Sequence, residues 1–302
     1  MTLNRRRALP LIIFLTSFYL LFLEVLLTRI FSVLLYYHFA FMAISIALLG
    51  LGTSGMAIYF FPNFFSKSKN YQLVTYSYIF FSLSLLIVLF AMNYLKISLY
   101  ATKASILKLI ILYILTLIPF FFGGIIISLI LTHFSKKISK LYFYDLVGAS
   151  IGTIGIIYSL KLFGGPNSLL LISSLGIVTS LLLSILFNFR KLIVLNAVLS
   201  VFILSLFIVA ITTNIFELDF TKGSEDTRYE VKEYSAWNAI SRVDLYNRDD
   251  IKFILIDSDA FTEVLKVDED ISEAKDQVFD TLNALAYTAK QNSNVLIVGA
   301  GG

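Results

Sequence analysis

The sequence of 302 residues contains no cysteine, which excludes disulfide bonds, a thiolate metal site and a cysteine nucleophile. Two histidines are too few for a His-rich metal centre. Charged residues make up 15% of the chain, where soluble globular proteins carry about a quarter. With 58% of residues hydrophobic, that scarcity excludes an ordinary soluble domain and a disordered chain alike.

In place of charge the sequence has long apolar runs. A bilayer core needs about 20 apolar residues per helix, and runs of that kind lie near 9–34, 39–61, 74–95, 106–132, 142–162, 167–187 and 192–212, seven in all. The first run is too long for a cleaved signal peptide, and more spans follow it. The charge is divided sharply. Residues 1–216 hold 15 Lys and Arg and two acids, a net +13; residues 217–302 hold 9 and 18, a net −9, which together give +4. Two chemically different parts therefore meet near residue 216. The acidity of the second part argues against nucleic-acid binding.

Ten basic residues (Arg5, Arg6, Arg7, Lys67, Lys69, Lys136, Lys137, Lys140, Arg190 and Lys191) fall at alternate ends of the spans, and fewer at the others. The positive-inside rule places the N-terminus in the cytoplasm of a cell inner (plasma) membrane. Seven full spans then put residue 217 outside, whereas the cofactor chemistry below calls for a cytoplasmic soluble domain. The expectation is that one segment does not fully cross or that one stretch crosses twice. The candidate is the nearly unbroken run 9–61.

The acids of residues 1–216 are Glu24 and Asp145. A charge inside the membrane costs at least about 2.5 kcal/mol, so Glu24, Arg29 and Asp145 are expected to face the bundle interior. Arg29 would neutralise Glu24 or Asp145 as a packing clamp, or the three would line a substrate or proton path. Tyr36, Tyr37 and His38 read as an interfacial belt. Gly148-x3-Gly152 and Gly50-Leu51-Gly52-x2-Gly55 read as close-approach faces, Pro119 with Gly123-Gly124 as a bend, and Gly164-Gly165-Pro166 as a tight turn.

From Glu217 the hydrophobic period changes to two. Arg228–Tyr234, Ser241–Tyr246, Ile251–Asp257 and Thr262–Val267 read as strands of a small antiparallel sheet of two hairpins over 217–270, with Asn247–Asp250 as a polar turn. Ser272 can cap a helix to about Lys290, with Val278, Phe279, Leu282, Leu285 and Ala286 on one face. Val295–Val298 is a wholly apolar strand of the kind buried in a parallel sheet, and Gly299-Ala300-Gly301-Gly302 follows it. Such a turn lets backbone approach a nucleotide closely. The fold class expected is an all-α polytopic bundle, a small antiparallel β subdomain, and over 271–302 the first helix and strand of a truncated Rossmann-like α/β domain. NAD, FAD and S-adenosylmethionine proteins all use such a turn.

The order of parts resembles bacterial multi-pass membrane relatives of spermidine synthase. The similar segments are Leu23–Arg29, Tyr37–Phe41, Leu48–Gly52, Tyr144–Ala149, Gly164–Pro166, Trp237–Val243 and Val295–Gly302. The resemblance implies a class I methyltransferase fold with Gly299, Ala300, Gly301 and Gly302 against S-adenosylmethionine or its decarboxylated form. It also implies a transferase moving an aminopropyl or methyl group to an amine or other small substrate. The catalytic carboxylate is expected after Gly302; it would deprotonate the amine before attack on the carbon beside the sulfonium. Trp237, Asn238 and Asp257 become substrate-site candidates, against plainer readings as a core anchor and a strand-end turn. The alternatives are a transporter or channel with an NAD-sensing soluble domain, and a catalytically inactive transferase-like membrane protein. Partners expected are the lipid bilayer, a small-molecule substrate and a second copy of the chain.

Overall fold

The computed structural model describes residues 3–35, 37–66, 70–95, 97, 102–216, 231–248 and 251–264. The helix expected over 272–290, the strand 295–298 and the turn Gly299–Gly302 lie outside them. The chain divides into two compact units, Met1–Lys222 with Trp237–Ser241, and Gly223–Ala236 with Arg242–Gly302.

The first unit is a bundle of α1 (Leu3–Leu34), α2 (Ala40–Phe60), α3 (Asn70–Tyr94), α4 (Lys103–His133), α5 (Ile138–Leu186) and α6 (Arg190–Thr213). Helices are forced here by the bilayer, which offers no water to unpaired backbone groups. Six helices are long and apolar enough to cross a membrane. The interior of the bundle is rich in small polar residues, with Ser54, Thr75, Ser82, Thr116 and Ser180 at 0% exposure, while Phe41 and Val201 are 72% and 70% exposed. Bulky apolar side chains outside and small polar ones inside suit a hydrocarbon solvent, where packing and interhelical hydrogen bonds hold helices together. Ser173 donates to the Ser82 carbonyl at 2.8 Å and Ser180 to that of Thr75 at 3.0 Å, both joining α5 to α3.

The 49 residues of α5 would extend about 74 Å as one helix, more than twice the hydrocarbon thickness. The chain instead folds back at Gly164, whose φ of 75° and ψ of 177° break the helix. Neighbouring bonds show the reversal. Ser17 of α1 donates to Asp145, and Tyr19 two residues later pairs with Thr179 at 2.7 Å. In one straight helix Asp145 and Thr179 would lie about 50 Å apart. Ser159 and Ser168 meet at 2.8 Å across the fold, and Ser168 donates to the Gly164 carbonyl at 2.6 Å, satisfying part of the broken ladder. The expected turn at Gly164-Gly165-Pro166 is therefore present, and seven stretches have crossing length.

The run 9–61 holds two such stretches, Ala8–Leu34 and Tyr37–Phe60. They are joined by a short turn that contains Tyr37 and His38. Each half has the length to cross. The odd number separates the ends of the bundle. Tyr71, Phe134 and Phe187 cluster at the end carrying Lys136, Lys137, Lys140, Arg190 and Lys191. Phe90 meets Phe216, and Phe163 meets Phe207, at the other. The chain thus leaves the bundle at the end opposite the one at which it enters.

Glycine placement corrects one expectation. A Cβ on Gly148 would collide with the Phe14 carbonyl of α1, and one on Gly152 would stand 2.5 Å from the Phe18 carbonyl, so this pair does bring two backbones together. Gly50 does the same against Phe120, at 2.6 Å. Gly52 and Gly55, expected on the same face, have no atom within 4 Å and look outward. Helix α4 is unbroken across Pro119, and Gly123 and Gly124 seat Leu20 and Ser54.

The sheet has the order β1-β2-β3-β4, formed by Val231–Trp237, Arg242–Arg248, Ile251–Ile256 and Ala260–Val264. Strands β2 and β3 pair antiparallel from Val243↔Ile256 to Arg248↔Ile251, and β3 and β4 from Lys252↔Val264 to Ile256↔Ala260. Asn247 and Arg248, expected in a turn, belong to β2 because the connection to β3 is shorter than foreseen. Asp257 and Ser258 turn β3 into β4 with φ of 52° and 57°. An Asp257 N–H to Arg242 carbonyl bond of 2.8 Å and an Asp259 N–H to Ile256 carbonyl bond of 3.1 Å close it. Asp tolerates this left-handed geometry better than most residues.

Candidate functional site

Two of the segments that carry the family resemblance meet inside the first unit. The Trp237 indole lies over the Gly164–Gly165 turn: a Cβ on Gly165 would stand 2.8 Å from the ring, one on Gly164 3.1 Å, and Ile30 of α1 lies 3.2 Å from the same Gly165 position. Only glycine leaves room for an aromatic face against that backbone, and the positive φ at Gly164 adds a second reason for the residue. Trp237 is half-buried against the bundle core.

Asn238 shapes the turn that follows. Its side-chain oxygen accepts from the N–H of Ile240 and of Ser241, both at 2.7 Å, and its own N–H donates to the Ser241 carbonyl at 2.9 Å. This is the local self-bonding for which Asn is favoured in turns. In the second unit the Asp257 carboxylate accepts from the Arg242 N–H at 2.8 Å and ties the start of β2 to the end of β3. Asn238 and Asp257 thus each have a structural task.

Among the described residues, no ion pair of the expected clamp is present. Asp145 takes the Ser17 hydroxyl at its Oδ1. Glu24 stands on α1 about 10 Å further along the helix axis than Ser17 and is half-buried. Arg29 has a partner, but among the described residues no ion pair joins it to Glu24 or Asp145. The span of α1 sets Ser17 opposite Asp145, and the intervening helix turns carry Glu24 away from both.

One pair escaped sequence reasoning. Arg242 Nε and Asp244 Oδ1 are 2.9 Å apart with both side chains 1% exposed, and Ser235 Oγ is 3.3 Å from the same nitrogen. The other oxygen of Asp244 is buried with no hydrogen-bond partner among the described residues. The alternation Arg242-Val243-Asp244-Leu245 places the two charges on one face. It gives no sign that the charged face is the buried one. A buried pair of this kind is costly to break.

Outside the bundle, the Lys252 ammonium donates to Glu233 at 2.8 Å, with Asn247 donating to the other oxygen at 2.9 Å. The Lys252 bond, aided by Asn247, holds this exposed carboxyl below the usual glutamate range. Among the described residues no group of three His, Asp or Glu converges as a metal site. Comparison with protein-family models, with curated proteins and with solved structures finds no match.

Proposed function

We propose that the protein is a membrane-anchored transferase related to spermidine synthases, with a seven-crossing bundle leading into an S-adenosylmethionine-type domain. In this reading Gly299–Gly302 let the chain approach S-adenosylmethionine or decarboxylated S-adenosylmethionine. The amine nitrogen attacks the carbon attached to sulfur, the carbon–sulfur bond breaks, and a carboxylate takes the proton. The observation that carries the reading is the seat of Trp237 on Gly164–Gly165. The two segments are far apart in sequence, and each resembles the same family.

The test is equilibrium binding by the protein as its gene encodes it, purified in detergent. Labelled S-adenosylmethionine or the decarboxylated form is expected to bind saturably. Absence of binding by both overturns the transferase.

A second reading has its own observation. If all seven stretches of crossing length do cross, the ten basic residues at the entry end and the positive-inside rule would put the sheet outside the cytoplasm, away from any cytosolic nucleotide. The transferase-like part would then be catalytically inactive and serve contacts. The transferase reading requires the sheet on the cytoplasmic face, so sidedness separates the two.

A further inference from the structure

A cavity of about 330 Å³ opens between α1, α4 and α5, lined by Ile13, Ile127, Leu131, Ile138, Ser139, Tyr142 and Asp145. Its volume lies at the lower end of small-molecule sites, about 300–1,000 Å³. The wall is apolar except for two hydroxyls and one carboxylate. Ile13 is buried, while Ile138, Ser139 and Tyr142 are exposed, so the cavity reaches the outer surface of the bundle.

Asp145 gives this cavity a sign. A carboxylate in the membrane-spanning part is costly and calls for a compensating charge. Ser17 satisfies one oxygen, but no described cation pairs with Asp145, and the cavity is where a counter-charge would fit. We propose that it binds an amphiphilic amine: the ammonium pairs with Asp145, beside the Tyr142 ring, which also attracts cations. The hydrocarbon body fills the space among Ile13, Ile127 and Leu131. A phospholipid fits less well. Its phosphate suits Lys136, Lys137 and Lys140 at this end of the bundle, but its acyl chain gives the carboxylate nothing. The inference stands apart from the transferase reading, since it uses neither the sheet nor the nucleotide turn.

The test is calorimetric titration of the protein in detergent with 1-adamantylamine and, as an uncharged control of the same shape, 1-adamantanol. The amine is expected to bind at least tenfold more tightly. Asp145→Asn should bring it to the level of the alcohol, and Ile127→Trp, which fills the cavity and keeps the Ser17–Asp145 bond, should abolish both. Equal binding of amine and alcohol overturns the proposal, as does an amine affinity unchanged in either variant. Native mass spectrometry showing a retained phospholipid that the amine does not displace also overturns it. Should Asp145→Asn fail to fold, the Ile127→Trp result decides alone.

Discussion

Alanine at two glycines should have opposite effects. Gly148 and Gly52 both sit in apolar membrane helices and both belong to small-residue patterns. At Gly148 a Cβ would fall on the Phe14 carbonyl, with the Phe14 Cα at 3.0 Å. The obstacle is backbone, which cannot rotate aside as a side chain can, so α1 must move off α5. Overpacking of this kind costs about 1–3 kcal/mol, a factor of about five to more than a hundred in the folded-to-unfolded ratio. At Gly52 a Cβ meets nothing within 4 Å, and only the helix preference for alanine acts, about 0.5–1 kcal/mol in favour of the variant. Gly152 adds a further check. It abuts Phe18 of α1, one turn along from Phe14. One displacement of α1 relieves both contacts, so Gly148→Ala with Gly152→Ala should cost less than the sum of the singles. The assay is the unfolding free energy in mixed micelles during titration with a denaturing detergent. Equal destabilisation at Gly52 and Gly148, or no loss at Gly148, would refute the packing described here.

Other outcomes follow from the same contacts. Trp237 is the single tryptophan, so its emission reports its seat directly. Gly165→Ala should displace the ring and shift emission to the red, with Gly55→Ala as the silent control, and Trp237→Ala should cost about 1–3 kcal/mol, less than a fully buried tryptophan. Gly164→Ala forces a side chain into φ of 75° and should cost about 1–2 kcal/mol in the same micellar unfolding assay. Asp244→Ala removes a buried carboxylate bonded to Arg242 and should lower stability, read as early loss of β-sheet signal on heating; a neutral variant would show that the pair is not buried in solution. Glu233 is lowered by Lys252, so its stabilisation is present above the ordinary glutamate pKa and fades as pH falls through the lower folded value. Titration of the wild-type sheet against Glu233→Gln should show that small difference at neutral pH and none in strong acid.

The helices were legible because hydrocarbon solvation and backbone satisfaction act on composition and length alone. The reversal at Gly164 was legible too, since Gly-Gly-Pro has few uses other than a turn. Which face of α2 meets its neighbours was not. That helix is apolar all round, so periodicity gives no rotation, and Gly50 packs while Gly52 and Gly55 do not. The bond between Ser17 and Asp145 depends on two helices docking in one register, which a single strand of sequence does not encode locally. In the sheet, alternation separated Arg242 and Asp244 from Val243 and Leu245, but it could not say that the charged side is inside. Trp237, Asn238 and Asp257 are substrate-site candidates by resemblance, and their described geometry is that of a packing anchor and two turn formers.

The most direct measurement uses the absence of cysteine, which removes all labelling background. Lys137→Cys and Asp259→Cys, both exposed positions, are labelled in intact cells and in inverted membrane vesicles with a membrane-impermeant maleimide. Seven crossings predict that the two sites label from opposite faces, and the transferase predicts that position 259 labels from the cytoplasmic one. Labelling of both from the same face contradicts the crossing count, and labelling of position 259 from outside alone contradicts the transferase.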